Sequence, residues 1–348
     1  MSEHLFPYEW RLADGYPAKG IKKHGKKVFG TFICGGGSTM GYKLAGYEHL
    51  GGVELDPKVA ATYKTNHHPK YLYTMDIRDF NKLTDLPSDL FDLDLLDGSP
   101  PCSTFSTAGS REKAWGKAKQ FAEGQKLQTL DDLVFVYCDT IAKLKPKVCL
   151  LENVSGLVKG NGKVYAKKIM QRLTEIGYRT QCFLLNAASM GVPQMRERVF
   201  FIGLRNDFDL PKLNLKFNEK PIVFGEIIDR TATENDLTDV QFELWKKQKP
   251  TDKCLADVRK ANNGFTDYLV ANNCVCNTVT SGGKFFTKEI ARWFTREEFL
   301  KIGTFPTDYQ TNNGGGQNVQ WYVGMSVPPV MTAQIANQIY LQWLSKID

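Results

Sequence analysis

Cys102 follows the run Leu95-Leu96-Asp97-Gly98-Ser99-Pro100-Pro101, where an apolar strand-like segment meets a glycine and a double proline. Proline cannot donate to a sheet ladder and holds φ near −65°, so the chain must leave the sheet there and present the thiol at a strand end. Open α/β sheets bind their ligands at that end. A lone cysteine is more often a small core residue, so the case for a nucleophile depends on what accompanies it. All five histidines (4, 24, 49, 67 and 68) lie in the first 68 residues, so no histidine neighbours Cys102 in sequence. Arginine or a helix N-terminus is the more plausible support for a thiolate. Glu152-Asn153-Val154 closes another apolar run, and Arg196 and Arg198 precede the apolar Val199 to Leu204.

A second group of residues suits a small cofactor. The β-rich stretch Lys27 to Cys34 runs into Gly35-Gly36-Gly37-Ser38-Thr39-Met40-Gly41, and a helical pattern follows from Tyr42 to Tyr47. Glycine permits close backbone approach, and a helix N-terminus offers free N–H groups. Met40 falls where a dinucleotide fingerprint needs its third glycine, which disfavours a pyrophosphate cofactor and a nicotinamide oxidoreductase. Glu54 ends a second strand, His49 to Leu55, where a carboxylate can accept from ribose hydroxyls. Asp76-Ile77 ends a third, Tyr71 to Met75, setting an acid beside an apolar residue suited to adenine. Either acid alone reads equally as a helix cap; three successive strand ends with such signals are harder to attribute to chance. Cys274 and Cys276 flank a single valine with no histidine or second cysteine pair nearby, so no metal site is expected.

The elements that must position these groups alternate. Helical patterns over Lys58 to Asn66, about Thr129 to Leu144 and about Lys163 to Ile176 separate strands Phe91 to Leu96, Val148 to Leu151 and Tyr178 to Leu185. This alternation predicts an α/β fold with a doubly wound, mostly parallel sheet. The stretch from Ser103 to about Gln128 has no hydrophobic period and reads as a functional loop. From about Arg205 the composition turns to Pro, Asn, Asp and Lys, predicting a small irregular lobe at 206–279 set into a main domain of 1–205 and 280–348. A final helix is expected over Val330 to Trp343.

Eight cysteines in 348 residues lack the density of a disulfide scaffold, pointing to a reducing cytoplasm. No apolar run reaches the roughly 20 residues of a membrane span, and the start is no signal peptide. The net charge of +7 is unevenly spread: Lys19 to Lys27 and Arg111 to Lys126 are basic blocks that suit phosphate contacts.

In order, Gly98-Ser99-Pro100-Pro101-Cys102, Glu152-Asn153-Val154, Gly191-Val192-Pro193-Gln194 with Arg196 and Arg198, Thr295-Arg296-Glu297 and Gly324-x-Ser326-Val327-Pro328 resemble the motifs of the cytosine-C5 DNA methyltransferases. The resemblance covers nearly the whole chain. It implies a class I (Rossmann-like) methyltransferase fold whose small lobe recognises the target. It implies S-adenosylmethionine as methyl donor, leaving as S-adenosylhomocysteine, and double-stranded DNA as substrate, methylated within a specific short sequence. Cys102 then matches the nucleophile that adds to C6 of a flipped cytosine, and Glu152 the acid facing N3 and the exocyclic amine. Arg198 matches the arginine on O2, and Arg196 the one beside the nucleophile's loop. Phe32, Gly35, Gly36, Gly37, Glu54, Leu55, Asp76, Ile77, Pro100 and Ser326 would line the cofactor pocket. The resemblance further implies a monomer, no metal, and a bacterial or phage modification system in which a cognate restriction endonuclease is a conceivable partner. An RNA-directed (tRNA) enzyme of the same chemistry and a catalytically weakened DNA-binding member are the alternatives. Three residues depart from the pattern. Cys34 stands for a glycine, Ser103 for a glutamine, and Met325 for an asparagine; the last predicts a modified pocket.

Overall fold

The structure, a computed structural model, describes residues 4–101, 132–160, 162–233, 236–260, 267–311 and 318–347. Cys102, Ser103 and the basic loop after them lie outside the described residues. In chain order the strands of the main body are β1 (Lys27–Thr31), β2 (Glu48–Glu54), β3 (Tyr71–Thr74), β4 (Leu95–Gly98), β5 (Val148–Val154), β6 (Tyr178–Asn186), β7 (Gln194–Met195) and β8 (Glu197–Arg205). All but β7 form one seven-stranded sheet in the order β3-β2-β1-β4-β5-β8-β6. Its first five strands are mutually parallel, while β8 runs antiparallel to both β5 and β6. The mostly parallel, doubly wound α/β sheet expected from the alternation is therefore present, with one reversed strand inside it.

That reversal decides where the chemistry can gather. The parallel strands deliver their following residues to the carboxyl edge of the sheet. An antiparallel strand brings its beginning to the same edge, so Arg198 faces Val154 across the ladder.

Side-chain alternation along the strands feeds two cores. Leu95, Val148, Leu150, Phe200 and Ile202 pack on one side, against α1 (Gly37–Leu44) and others, while Leu96, Cys149, Leu151, Val199 and Phe201 pack on the other. α2 (Pro57–His67) follows β2. The second side is covered by α3 (Ile77–Lys82), α4 (Leu133–Leu144) and α5 (Gly162–Glu175). The Tyr137 hydroxyl of α4 lies 2.8 Å from both the Leu96 and the Leu150 carbonyl and shares its one proton between them, fastening the helix to two strands.

The small lobe holds α6 (Asp239–Lys246), α7 (Leu255–Val258), β9 (Tyr268–Val270), β10 (Cys276–Asn277) and β11 (Phe285–Thr287). β9 and β11 pair in parallel, and β10 pairs with β7 of the main body. The lobe's own apolar cluster, Leu255, Leu269 and Phe286 with Leu237, Leu244, Trp245, Val258 and Trp293, draws from both sides of residue 280. Leu213, Leu215, Ile222, Phe224 and Ile227 belong to the main core instead. The chain returns to the body through α8 (Arg296–Ile302), α9 (Val319–Met325) and α10 (Pro329–Gln342), and α10 lies on the same face as α1.

Several local expectations are corrected. The helix after the glycine run starts at Gly37 rather than Tyr42, because Gly36 takes the left-handed conformation (φ 86°) at the N-cap and the turn is complete before Ser38. The strand leading to the double proline begins at Leu95; Ser88–Phe91 is a 3-10 turn, and Phe91 is exposed. The N-terminal segment is anchored although it holds no regular element longer than the 3-10 turn Leu12–Asp14. Phe6, Trp10 and Ala18 are buried in the main core, and Trp10 donates to the Thr304 carbonyl at 2.9 Å.

Candidate active site

The carboxyl edge of β4 and β5 is organised by the Glu152-Asn153-Val154 segment. Asn153, buried, donates through Nδ2 to the Pro100 carbonyl at 3.1 Å and accepts from the Val154 N–H at 2.9 Å. It thus fixes the backbone two residues before Cys102, a positioning role that the three-residue motif carried and side-chain chemistry alone did not single out. Pro100 itself is held at this β4–β5 edge.

Glu152 is buried and sits 2.9 Å from Arg198 Nε. Burial raises its pKa; the nearby Arg198 and Arg196 cations and a hydrogen bond from Ser99 pull the other way. The net displacement is upward, the direction required of a carboxyl that must hold a proton. Arg196 goes elsewhere: its Nη1 donates to the Val279 carbonyl at 3.0 Å and its Nη2 to the Gly324 carbonyl at 2.8 Å, while its buried Nε has no partner among the described residues. It ties the strand leaving the lobe to the end of α9, close enough to feel the Glu152 charge. Gln194, fully buried, completes this junction by donating to Ile302 and accepting from the Val279 N–H.

The turn after β1 forms the second part of the site. Phe32, Cys34 and Gly36 all have positive φ (56°, 47° and 86°). Cys34 thus adopts, at a cost of roughly 1 kcal/mol or more, the conformation that glycine takes freely. The Glu54 carboxylate accepts from the Cys34 N–H at 2.9 Å and the Asp56 N–H at 3.0 Å, which clamps the turn to the end of β2. Burial nevertheless raises the Glu54 pKa.

The three glycines are required by protein contacts. A Cβ on Gly35 would lie 2.6 Å from the Tyr322 ring, one on Gly36 2.0 Å from His67, and one on Gly37 2.4 Å from the Val327 carbonyl. The Gly35 carbonyl receives two hydrogen bonds, from His67 Nε2 at 3.0 Å and the Tyr309 hydroxyl at 2.8 Å. Neither residue stood out in the sequence, where His67 is one of an adjacent histidine pair.

Phe32 and Ile77 share a small apolar cluster with Leu133 and Val136, a surface suited to an aromatic ring. Asp76 caps α3, accepting from the Arg78 N–H at 2.8 Å, so the cap reading of this acid is also realised. Leu55 is on the exposed side of the turn. The buried Ser326 hydroxyl lies beside the Cys34 thiol, and among the described residues no group meets it at full hydrogen-bond geometry. An orphaned buried hydroxyl beside a glycine turn, a strand-end carboxylate and an apolar cluster fit a nucleoside-bearing methyl donor. Met325, just before Ser326, is 53% exposed at the end of α9.

The family model for C-5 cytosine-specific DNA methylases matches residues 27–341. The chain belongs to that family. It is 26% identical to the type II methyltransferase M.AplI of Arthrospira platensis over 90% of this chain and 85% of that protein. It is 30% identical to M.NgoPII of Neisseria gonorrhoeae over 69% of this chain and 64% of that one. A prophage-encoded chain (E. coli) proposed to be a DNA modification methyltransferase shares the fold. Its TM-score is 0.65 at 18% identity, covering 91% of this chain and 99% of its own. The protein is a DNA cytosine-5-methyltransferase. Among the described residues no helix is long and apolar enough to cross a membrane.

Proposed function

We propose that this enzyme transfers the methyl group of S-adenosylmethionine to C5 of a cytosine flipped out of double-stranded DNA, within a short sequence, through a transient Cys102–C6 bond. The observation that carries this reading is the buried Glu152–Arg198 contact at 2.9 Å beside the Asn153-held turn that leads to Cys102.

Cytosine C5 alone is too weak a nucleophile to displace a methyl group from sulfur. Addition of the Cys102 thiolate to C6 makes C5 an enamine carbon, provided that the ring can accept the electron pair. Glu152 holds the proton that N3 requires, and Arg198 faces O2. S-adenosylmethionine supplies the methyl group. After transfer, the C5 proton leaves to water and the C5–C6 double bond re-forms as Cys102 is expelled. Arg196, tied to Val279 and Gly324, holds the walls on either side. Phe32, Gly35, Gly36, Gly37, Glu54, Leu55, Asp76, Ile77, Pro100 and Ser326 form the donor's pocket. Extrusion of the base costs a few kcal/mol, which contacts to phosphates offset. The small lobe, drawn from 206–279 together with β11, reads the sequence, and the rest of the chain, 1–205 and the remainder of 280–348, forms the catalytic body. By analogy with its type II relatives, the enzyme serves a cytoplasmic restriction–modification system as a monomer.

Duplex DNA with 5-fluorocytosine in place of every cytosine tests this, because it offers a trap within any recognition sequence. Fluorine cannot leave as a proton, so incubation with S-adenosylmethionine is expected to yield a protein–DNA adduct that survives denaturation. The Cys102→Ala variant gives none, and transfer RNA does not compete. An adduct formed equally by Cys102→Ala, or none with the intact enzyme, refutes the mechanism.

A further inference from the structure

Cys34 holds a positive φ of 47°. That conformation favours glycine or asparagine, and in other residues it clusters at ligand sites. The side chain is not what holds the backbone. The turn is clamped through the Cys34 N–H, which donates to Glu54 at 2.9 Å whatever side chain the residue carries. What the side chain adds is a sulfur atom beside the Ser326 hydroxyl. Ser326 follows α9 as its C-cap and is 6% exposed. It lies against the opening of α1, where a Cβ on Gly37 would sit 3.3 Å from Ser326 Oγ. The other polar groups around the turn are committed. The Tyr309 hydroxyl and His67 Nε2 donate to the Gly35 carbonyl, and the Tyr322 hydroxyl donates to Thr62 Oγ1 at 2.9 Å. Glu54 accepts from the Cys34 and Asp56 N–H groups. The thiol is therefore the neighbour that decides what the Ser326 hydroxyl does before a ligand arrives.

We propose that Cys34 is a positioning residue for the methyl donor, whose thiol lies against Ser326 without capturing its hydroxyl and so keeps that hydroxyl free to bond the donor. This rests on the donor pocket proposed above. A thiol is a weak hydrogen-bond donor and a weak acceptor. Burial, with the Glu54 charge adding to it, pushes the Cys34 pKa up to about 12. The sulfur thus stays a neutral S–H and does not become a thiolate, which would hold a hydroxyl firmly. A serine in the same place would exchange a full hydrogen bond with Ser326, and an arriving ligand would have to break it. A buried hydroxyl with only a weak partner instead gains most of a hydrogen bond when the ligand supplies one.

The test is a double-mutant cycle read by calorimetric titration with S-adenosylhomocysteine, which needs no turnover. Cys34→Ser is expected to weaken binding by roughly 3- to 10-fold, the contribution of one hydrogen bond that must first be broken. Cys34→Ala offers no polar atom and loses only a weak partner, so it stays within about 2-fold of the intact enzyme. In the Ser326→Ala background the Cys34→Ser penalty disappears, because no hydroxyl is left to capture. A thiol that serves only as packing gives the reverse ranking, since serine nearly keeps its shape and alanine leaves a gap. Alanine binding more weakly than serine, unchanged affinity in Cys34→Ser, or a serine penalty that persists without Ser326 overturns the proposal. Thermal melts of the ligand-free variants establish that each is folded. Should Cys34→Ser fail to fold, Cys34→Asn, which carries an oxygen and accepts a positive φ, enters the same cycle. Intact enzyme that binds no S-adenosylhomocysteine defeats the donor pocket itself, whereas binding without the Ser326-dependent penalty defeats only the assignment to Cys34.

Discussion

Two buried glutamate–arginine contacts in this molecule make opposite use of the same chemistry. At the junction between lobe and body, Glu298 takes Arg292 in a two-pronged contact, Nη1–Oε2 at 2.9 Å and Nη2–Oε1 at 2.7 Å. It also accepts from the Asp229 and Thr295 N–H groups. Arg292 spends its remaining donors on the carbonyls of Ala232, Trp293 and Asp229. Both side chains are fully enclosed, and the charge of each is met. At the sheet edge, Glu152 meets Arg198 through one nitrogen, with Ser99 as a further donor. The neighbouring Arg196 keeps a buried Nε without a partner among the described residues. A saturated pair holds two parts of a chain together, whereas an unsaturated one can exchange its partner for a substrate. Buried pairs are weak evidence for stability in themselves, but breaking one side leaves an uncompensated charge.

Removing the charge from each glutamate separates the two roles. Glu152→Gln is expected to slow methyl transfer by roughly 10²- to 10⁴-fold, the usual contribution of a positioned proton donor. Its unfolding free energy should change by only about 1 kcal/mol. Glu298→Gln should do the reverse. It loses about 3 kcal/mol or more in denaturant unfolding, because Arg292 remains buried without its anion, while the chemical step in the folded fraction is little altered. Equal losses of stability in both variants would dissolve the distinction.

The glycine turn after β1 offers a milder version of the contrast, a hydrogen-bonded support behind the surface proposed to hold the methyl donor. His67 is buried, with its pKa driven down to about 3 by burial and by Lys43, so its ring is neutral and Nε2 donates to the Gly35 carbonyl. His67→Ala removes that donor and the ring that fills the space behind Gly36, leaving Tyr309 as the remaining donor. The expected result is a KM for S-adenosylmethionine raised about 10-fold, equivalent to about 1.4 kcal/mol, with kcat at saturating donor nearly unchanged. A fall in kcat with constant KM would place His67 in the chemistry instead of behind the turn.

The sequence made some of this legible for identifiable reasons. Strand ends bearing Gly, Glu and Asp could be located because apolar runs stop sharply at them, and the reversed β8 still placed Arg198 beside Glu152. Other features depended on long-range closure. Thr295-Arg296-Glu297 looked like a functional signature, yet Thr295 caps α8 in a box with Glu298. The buried partner of Glu298 is Arg292, which carried no motif. His67 and Tyr309 meet at Gly35 from 32 and 274 residues away, a convergence that no local pattern encodes. The composition change near Arg205 carried no sign that Leu213, Leu215, Ile222, Phe224 and Ile227 would pack into the main core, because that packing depends on contacts with distant segments.

Met325 is the smallest lever on this comparison and the most specific to this chain. Its neighbour Gly324 accepts from Arg196, and Ser326 carries the orphaned hydroxyl, so position 325 joins the two halves of the site through the backbone. A thioether there offers no amide donors, and with 53% of its surface exposed it adds little to the core. Met325→Asn should therefore leave folding stability within about 0.5 kcal/mol. It should shift the KM for S-adenosylmethionine, or inhibition by S-adenosylhomocysteine, by about 2- to 10-fold, the worth of one hydrogen bond gained or misplaced. Steady-state kinetics at varied donor concentration reads this directly. Unchanged turnover, donor KM and product inhibition would mean that the site does not sense this side chain, and that Ser326 and the glycine turn define the pocket without it.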